Sequence, residues 1–211
     1  MGANATGYDD SAVTNGTTYF YQVAAVNAIG ETRSGEKFAT PSPQGTTPPY
    51  TSAPQGSWVN AYGSQGYVLG AWNTASSDLK SLPNATFTLD QGGRWCWACP
   101  SGDVRALQSP DQTERRAGTY FDNNQIRAHL TFSSAYSGTL RLYAVDFDAL
   151  ARRESITIND GSGPRSVDIT TDFGQGAWMS FPVNVASGGT INITVTRTAG
   201  LNAVLSGIFL N

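Results

Sequence analysis

Gly138-Thr139-Leu140-Arg141-Leu142-Tyr143-Ala144-Val145-Asp146 is the stretch that decides the fold class. Leu140, Leu142 and Ala144 fall on one side of an extended chain, and Arg141, Tyr143 and Val145 on the other. The run Thr190-Ile191-Asn192-Ile193-Thr194-Val195-Thr196 has the same period, with Ile191, Ile193 and Val195 set against Asn192, Thr194 and Thr196. A period of two with one polar face predicts antiparallel sheets. Outward from these runs, β-prone segments recur at 66–72, 85–89, 125–132, 154–158, 177–185 and 203–210, with 139–147 and 190–197 as the two just described. Gly, Asn, Asp, Ser and Pro turns separate them. The spacing predicts an all-β antiparallel β-sandwich or jelly roll over 56–211. No helical pattern exceeds a couple of turns, and Arg115-Arg116-Ala117 is where a short helix would sit.

Upstream, Tyr19-Phe20-Tyr21-Gln22-Val23-Ala24-Ala25-Val26-Asn27 is a β-prone run between two turn signals, Asn15-Gly16 and Asn27-Ala28-Ile29-Gly30-Glu31. With Tyr8-Asp9-Asp10, Thr14, Thr17-Thr18, Ser34 and Ala39-Thr40-Pro41, residues 1–41 resemble the second half of a bacterial fibronectin type III domain. The resemblance implies that Tyr19 is the corner tyrosine whose hydroxyl bonds back to the chain. The first strands of that fold are absent, leaving an apolar face and a strand edge uncovered. This piece is therefore expected to pack on the second domain, to pair with another copy, or to be poorly ordered. Residues 42–55 are rich in Pro and hydroxyl side chains and read as a semi-extended linker.

The 211 residues suffice for one large or two modest domains. Charged residues make up 14%, with a net charge of -3, and the pI is near 5.0. This balance builds no basic footprint, so nucleic acid and anionic membrane are not expected partners. No apolar run approaches a membrane span and no signal peptide is evident. Met1-Gly2 followed at once by domain-like sequence reads as a fragment of a longer protein.

The two cysteines lie in Trp95-Cys96-Trp97-Ala98-Cys99-Pro100. A redox C-x-x-C needs its first Cys at a helix N-terminus, and no helical period follows. A zinc site would need about two further ligands, and the chain has a single His. We read the pair as a local disulfide pinning a loop, with two free thiols as the alternative. His129 shares a strand face with Arg127 and Thr131, opposite Ala128, Leu130 and Phe132, which suits a surface histidine better than a catalytic base. Asp146 and Asp148 have the spacing of a carboxylate pair. Arg152 and Arg153 close by favour a salt-bridged turn instead. No cofactor is expected. A structural calcium on Asp146, Asp148, Asn159 and Asp160 is the alternative to ordinary turn chemistry.

Aromatic residues are the informative feature, because the C–H face of a pyranose stacks on a ring while neighbouring polar groups hold its hydroxyls. Trp95 and Trp97 share a face if their segment is a strand, and Trp72, Tyr120, Phe121 and Trp178 complete a pool of platforms. Tryptophans are usually well buried, so core packing competes with this reading for each ring. Gly66-Tyr67-Val68-Leu69, Asp103-Val104-Arg105-Ala106-Leu107-Gln108, the 138–146 run, Arg152-Arg153-Glu154, Gly176-Ala177-Trp178 and Ala203-Val204-Leu205-Ser206-Gly207-Ile208-Phe209-Leu210 resemble a galactose-binding-like β-sandwich. Such domains occur as carbohydrate-binding modules and accessory domains of secreted bacterial enzymes. The resemblance implies a non-catalytic module of an extracellular polysaccharide-degrading enzyme, with a polysaccharide or oligosaccharide and a catalytic domain in cis as partners. Trp95, Trp97, Tyr120 and Trp178 are the expected platforms, and Asp103, Arg105 and Asp146 the polar partners. Arg105 and Asp146 could equally form a buried pair that only holds the fold. A structural spacer or protein-interaction module without a glycan ligand is the alternative function. Asn-x-Thr sequons at Asn4, Asn15, Asn84 and Asn192 carry little weight in so Asn/Thr-rich a chain.

Overall fold

The computed structural model describes residues 7, 10, 12–14, 17–40 and 50–211. Asn4, Tyr8, Asp9, Asn15, Gly16, Pro41 and linker positions 42–49 lie outside the described residues. The chain divides into two compact units, Met1–Thr47 and Pro48–Asn211.

In the first unit β1 (Tyr19–Tyr21) pairs with β4 (Lys37–Ala39), and β2 (Ala24–Asn27) with β3 (Gly30–Arg33), both antiparallel. Asn27 makes the turn between β2 and β3. Its Oδ1 accepts hydrogen bonds from the N–H groups of Ile29 (2.8 Å) and Gly30 (3.1 Å), the local bonding for which Asn is selected in turns. The Tyr19 hydroxyl accepts a bond from the Thr14 N–H at 2.9 Å. Phe20 and Phe38 meet across the β1–β4 pair and are exposed.

The second unit begins with β5 (Tyr50–Thr51), β6 (Gly66–Leu69), β7 (Leu79–Ser81), β8 (Ala85–Gln91), β9 (Gly93–Cys96), β10 (Leu107–Gln108) and β11 (Arg115–Arg116). It continues with β12 (Gly118–Asp122), β13 (Gln125–Phe132), β14 (Tyr136–Ala144), β15 (Arg153–Asn159) and β16 (Pro164–Ile169). It ends with β17 (Ala177–Val185), β18 (Thr190–Ala199), β19 (Ala203–Leu205) and β20 (Gly207–Leu210). A six-stranded sheet in the order β5-β17-β14-β20-β6-β7 faces a five-stranded sheet in the order β16-β15-β18-β13-β8. All strand pairs are antiparallel, and the architecture is a β-sandwich. Leu140, Leu142 and Ala144 on β14 and Ile191, Ile193 and Val195 on β18 point into one shared core. The alternation read from the sequence therefore marks the two inner faces.

The other face of β14 is also covered. Tyr143, Val145, Trp178 and Phe209 form a second cluster with Trp58 and Leu107, which come from segments lying outside the six-stranded sheet. Backbone carbonyls of those segments satisfy the polar ends of the rings. Trp58 Nε1 donates to Gln108 O (2.8 Å), Trp178 Nε1 to Gln55 O (2.9 Å) and the Tyr143 hydroxyl to Arg105 O (2.8 Å).

Three local expectations change. Arg115 and Arg116 form strand β11 rather than a short helix, because they pair with Gln108 and Leu107 and because the Arg116 guanidinium donates to Trp72 O at 2.8 Å. No helix occurs among the described residues. The apolar run 203–210 breaks at Ser206: β19 pairs with β12, and β20 pairs with β14 and β6. Tyr50–Thr51, within the stretch read as linker, form an edge strand against Trp178 and Met179 of β17.

Candidate ligand-binding site

A third, three-stranded sheet, β9-β12-β19, builds the wall of the site. Its register sets Trp95 opposite Thr119, and Phe121 between Gly93 and Val204. Trp95, Thr119, Phe121 and Val204 thus share one face. Gly93 has a steric role here, since a Cβ at that position would lie 2.8 Å from the Phe121 ring. The other face of β12 carries Tyr120 into the core.

Beyond β9 the chain closes on itself through a Cys96–Cys99 disulfide. The Trp97 N–H donates to Ala117 O (3.0 Å) and the Ala117 N–H to Ala98 O (2.9 Å), which carries the pairing into the disulfide-closed loop. Trp97 is held between partners. Its ring stacks on Phe147 with centroids 5.6 Å apart and planes at 21°, and the Arg152 guanidinium stands 5.6 Å from its centroid. Phe147 in turn lies beneath the Arg105 guanidinium at 4.5 Å.

The opposite wall is the loop that leaves β14. Asp146 is buried, and its carboxylate accepts from the N–H groups of Leu150 and Arg152, both at 3.1 Å. The Arg152 side chain, 2% exposed, pairs with Asp146 and Asp148, and its Nε donates to Asn202 Oδ1 at 2.7 Å. This is the salt-bridged turn expected from the Asp-Phe-Asp and Arg-Arg sequence. Burial opposes the Arg152 charge, but hydrogen bonds to Asp148 and Asp146 outweigh it and raise the pKa. Burial also opposes ionisation of Asp148, yet the guanidinium beside it holds that carboxyl below the usual range. Glu154 lies fully buried behind the wall. Its Oε2 accepts from the Val204 N–H at 2.9 Å, and its Oε1 has no protein partner. Burial pushes its pKa up to about 8.

Between the walls lies an open cavity of about 360 Å³. Trp95, 53% exposed, and the exposed Leu201 stand at its mouth. Trp97, Phe121 and Val204 line it, and Asp148, Arg152 and Asn202 form its polar side. One guanidinium against two carboxylates leaves a negative charge in excess. Among the described residues no group of three or more His, Cys, Asp or Glu side chains is arranged to hold a metal ion.

The structure thus brings together only part of the expected set. Trp95 and Trp97 line the cavity. Tyr120 and Trp178 are corrected to core residues, at 0% and 2% exposure, with no ring face left for a ligand. Asp103 and Arg105 pair with each other at 2.7 Å, and Arg105 also donates to Phe147 O and Gly174 O. They brace Phe147 from behind and do not line the cavity. Asp146 is corrected as well: at 1% exposure it is taken by Arg152 and does not line the cavity, and the alternative Arg105–Asp146 pair is not formed. Phe121, one of the aromatic pool but not an expected platform, lines the cavity in the place expected for its neighbour Tyr120. Leu201 and Asn202 carried no motif. His129 lies on the outer face of the five-stranded sheet, with its Nδ1 2.8 Å from Asp90.

No protein-family model and no curated protein matches the sequence. Among solved structures the chain is similar to TmCBM61 in complex with β-1,4-galactotriose, at 12% identity and TM-score 0.37, over 60% of this chain and 88% of that one. It is similar to the CBM35 from Cellvibrio japonicus Abf62, at 14% identity and TM-score 0.36, over 60% and 92% of the two chains. It is also similar to a family 35 carbohydrate-binding module from Clostridium thermocellum, at 12% identity and TM-score 0.36, over 69% and 96%.

Proposed function

We propose that the second unit is a non-catalytic carbohydrate-binding module that takes a glycan in the Trp95–Trp97 cavity. The observation that carries this reading is the exposed Trp95 indole, which opens beside Trp97 and Phe121 into a cavity with a polar side. A large exposed ring beside a concave, mostly apolar surface is the common form of a ligand site. Sugar rings suit it, since their C–H faces can cover the exposed Trp95 indole against the Trp97 and Phe121 wall, and their hydroxyls meet Asp148 and the Asn202 amide N–H groups. Stacking on Phe147, the disulfide and the pairing to Ala117 hold Trp97 in place before ligand arrives. This lowers the ordering cost of binding. The module would serve an extracellular polysaccharide-degrading enzyme, tethering it to polymer.

Trp95→Ala is expected to weaken binding by about thirtyfold, on the order of the 2 kcal/mol of a tryptophan hot spot. Affinity electrophoresis in gels containing plant, fungal and bacterial polysaccharides checks this, with circular dichroism confirming the fold. Wild-type retardation on no polymer would sink the reading in favour of a spacer. Equal retardation of wild type and Trp95→Ala would move the site elsewhere.

The excess negative charge also bears on the choice of glycan. Arg152 is committed to two carboxylates, so the cavity has no cation left for a uronate. Neutral polysaccharides are therefore expected to bind better than polygalacturonate or alginate, and Asp148→Asn to narrow the gap. Tighter binding of the acidic polymers at low salt would contradict the proposed site.

A further inference from the structure

We infer that a cleft beside Tyr62 and Tyr67 is a second carbohydrate site, separate from the Trp95–Trp97 cavity; its ligand class rests on the reading above. The cleft encloses about 440 Å³ between residues 58–64, β6 and Asn211. It shares no lining residue with the first cavity.

Its floor is aromatic and rigid. Buried Trp58 packs on Tyr67 at 4.9 Å and on Phe209 at 5.0 Å, while Tyr62 packs on Trp178 at 4.6 Å. The Arg141 guanidinium stands 4.4 Å from the Tyr62 ring centroid. The covering turn is tied down as well. The Tyr62 N–H donates to Trp58 O (2.8 Å) and the Gly63 N–H to Asn211 Oδ1 (3.1 Å). Gly63 has φ +74°, and a Cβ there would come within 3.0 Å of the Trp58 ring and 3.2 Å of Phe209. The turn can approach the rings this closely only with glycine at that position.

The polar groups around this floor are uncommitted. The hydroxyls of Tyr62, Tyr67 and Ser64 and the side-chain amide of Asn60 have no side-chain hydrogen bond to protein among the described residues, and neither has the amide N–H₂ of Asn211. No acidic or basic residue lines the cleft. The half-buried Tyr62 and Tyr67 rings with uncharged donors and acceptors fit a neutral, polyhydroxylated ring, while Arg141 is occupied against Tyr62 and with Ser180. A polymer chain held at both sites would gain retention from the higher effective concentration of its second contact.

The test is a ¹H–¹⁵N titration of the whole chain with short neutral oligosaccharides of β-1,4-galactan, xylan, cellulose, mannan and β-1,3-glucan at millimolar concentration. Saturable shifts are expected in two separate groups of amides, around 60–67 and around 95–97. Tyr67→Phe, which keeps the ring on Trp58, is expected to weaken only the first group, by about fivefold for one lost hydrogen bond. Trp95→Ala is expected to weaken only the second. Shifts confined to 95–97 would overturn this inference and leave the proposed function standing. Shifts confined to 60–67 would support it and overturn the first site. Shifts in neither group would overturn both.

Discussion

Arg152→Met is expected to lower the unfolding free energy of the sandwich by about 3–5 kcal/mol, the usual cost of breaking a buried ion pair from one side. The substitution keeps the length of the side chain and removes the guanidinium that neutralises Asp146. Asp146, 1% exposed, would then hold its charge with only the N–H groups of Leu150 and residue 152 for support. Asn202 would lose the donor to its Oδ1, and Trp97 the cation beside its ring. A lysine is not a substitute, because a single ammonium cannot serve Asp146, Asp148 and Asn202 from one planar fork. Urea unfolding reads the loss directly, and the melting temperature should fall by about 10 °C. Asp146→Asn in the same chain should restore much of it by removing the stranded charge. A loss below about 1 kcal/mol would mean that water reaches Asp146 and that the ion pair contributes little to the wall.

Stability is also expected to fall from mildly acidic pH toward pH 8, and Glu154→Gln to abolish most of that slope. The Glu154 carboxyl is raised by burial to about 8 from an ordinary value of 4.5. In the unfolded chain it ionises first, so its protonated, buried form stabilises the fold fully below about 4.5. That stabilisation is lost as pH rises toward 8, at up to about 1.4 kcal/mol per pH unit. The sign is opposite for Asp78 and Asp160. Both are partly desolvated, yet Arg94 and the Ala71 N–H hold Asp78 below the usual range, and Ser162, the Asn184 N–H and Arg165 do so for Asp160. Their contribution is present above about pH 4 and is lost as pH falls through their lowered values. The maximum should therefore lie near pH 5. Urea midpoints measured across pH in wild type and Glu154→Gln decide the matter, and parallel curves for the two proteins would remove Glu154 as the cause. The glutamine keeps an acceptor for the Val204 N–H, so the comparison isolates the titration.

The sandwich was legible because β13 and most of β18 alternate between buried and more open positions, and because β13, β14, β17 and β18 each send a row of apolar side chains into the shared core. Short strands such as β7 and β11 were not, since pairing partners far along the chain specify them more than their own residues do. The site was half legible. Trp95 and Trp97 stand two apart in an extended segment, so one spacing put both rings on one side. Tyr120 and Trp178 have the same chemistry, and only strand register and the covering 52–65 segment send them inward. The sequence marks Asp146 and Arg105 as candidate polar partners, but which carboxylate meets which guanidinium depends on how the loop after β14 folds, and both are drawn into ion pairs and do not line the cavity. Asn202 and Leu201 lie between two strands and carry no local signal at all. They reach the cavity because the chain crosses from one sheet to another there.

The edge strand Tyr50–Thr51 has a consequence for how this module can be moved between proteins. It borders Trp178 and Met179 of β17, and the Tyr50 hydroxyl meets Thr171 Oγ1 at 2.6 Å. Four residues on, Gln55 supplies the carbonyl for the Trp178 indole. A gene fusion cut at the end of the proline-rich stretch would sever all three and leave β17 as a bare sheet edge, a surface on which other chains can assemble. The transplantable segment therefore starts no later than Tyr50, several residues upstream of where composition alone would place the seam.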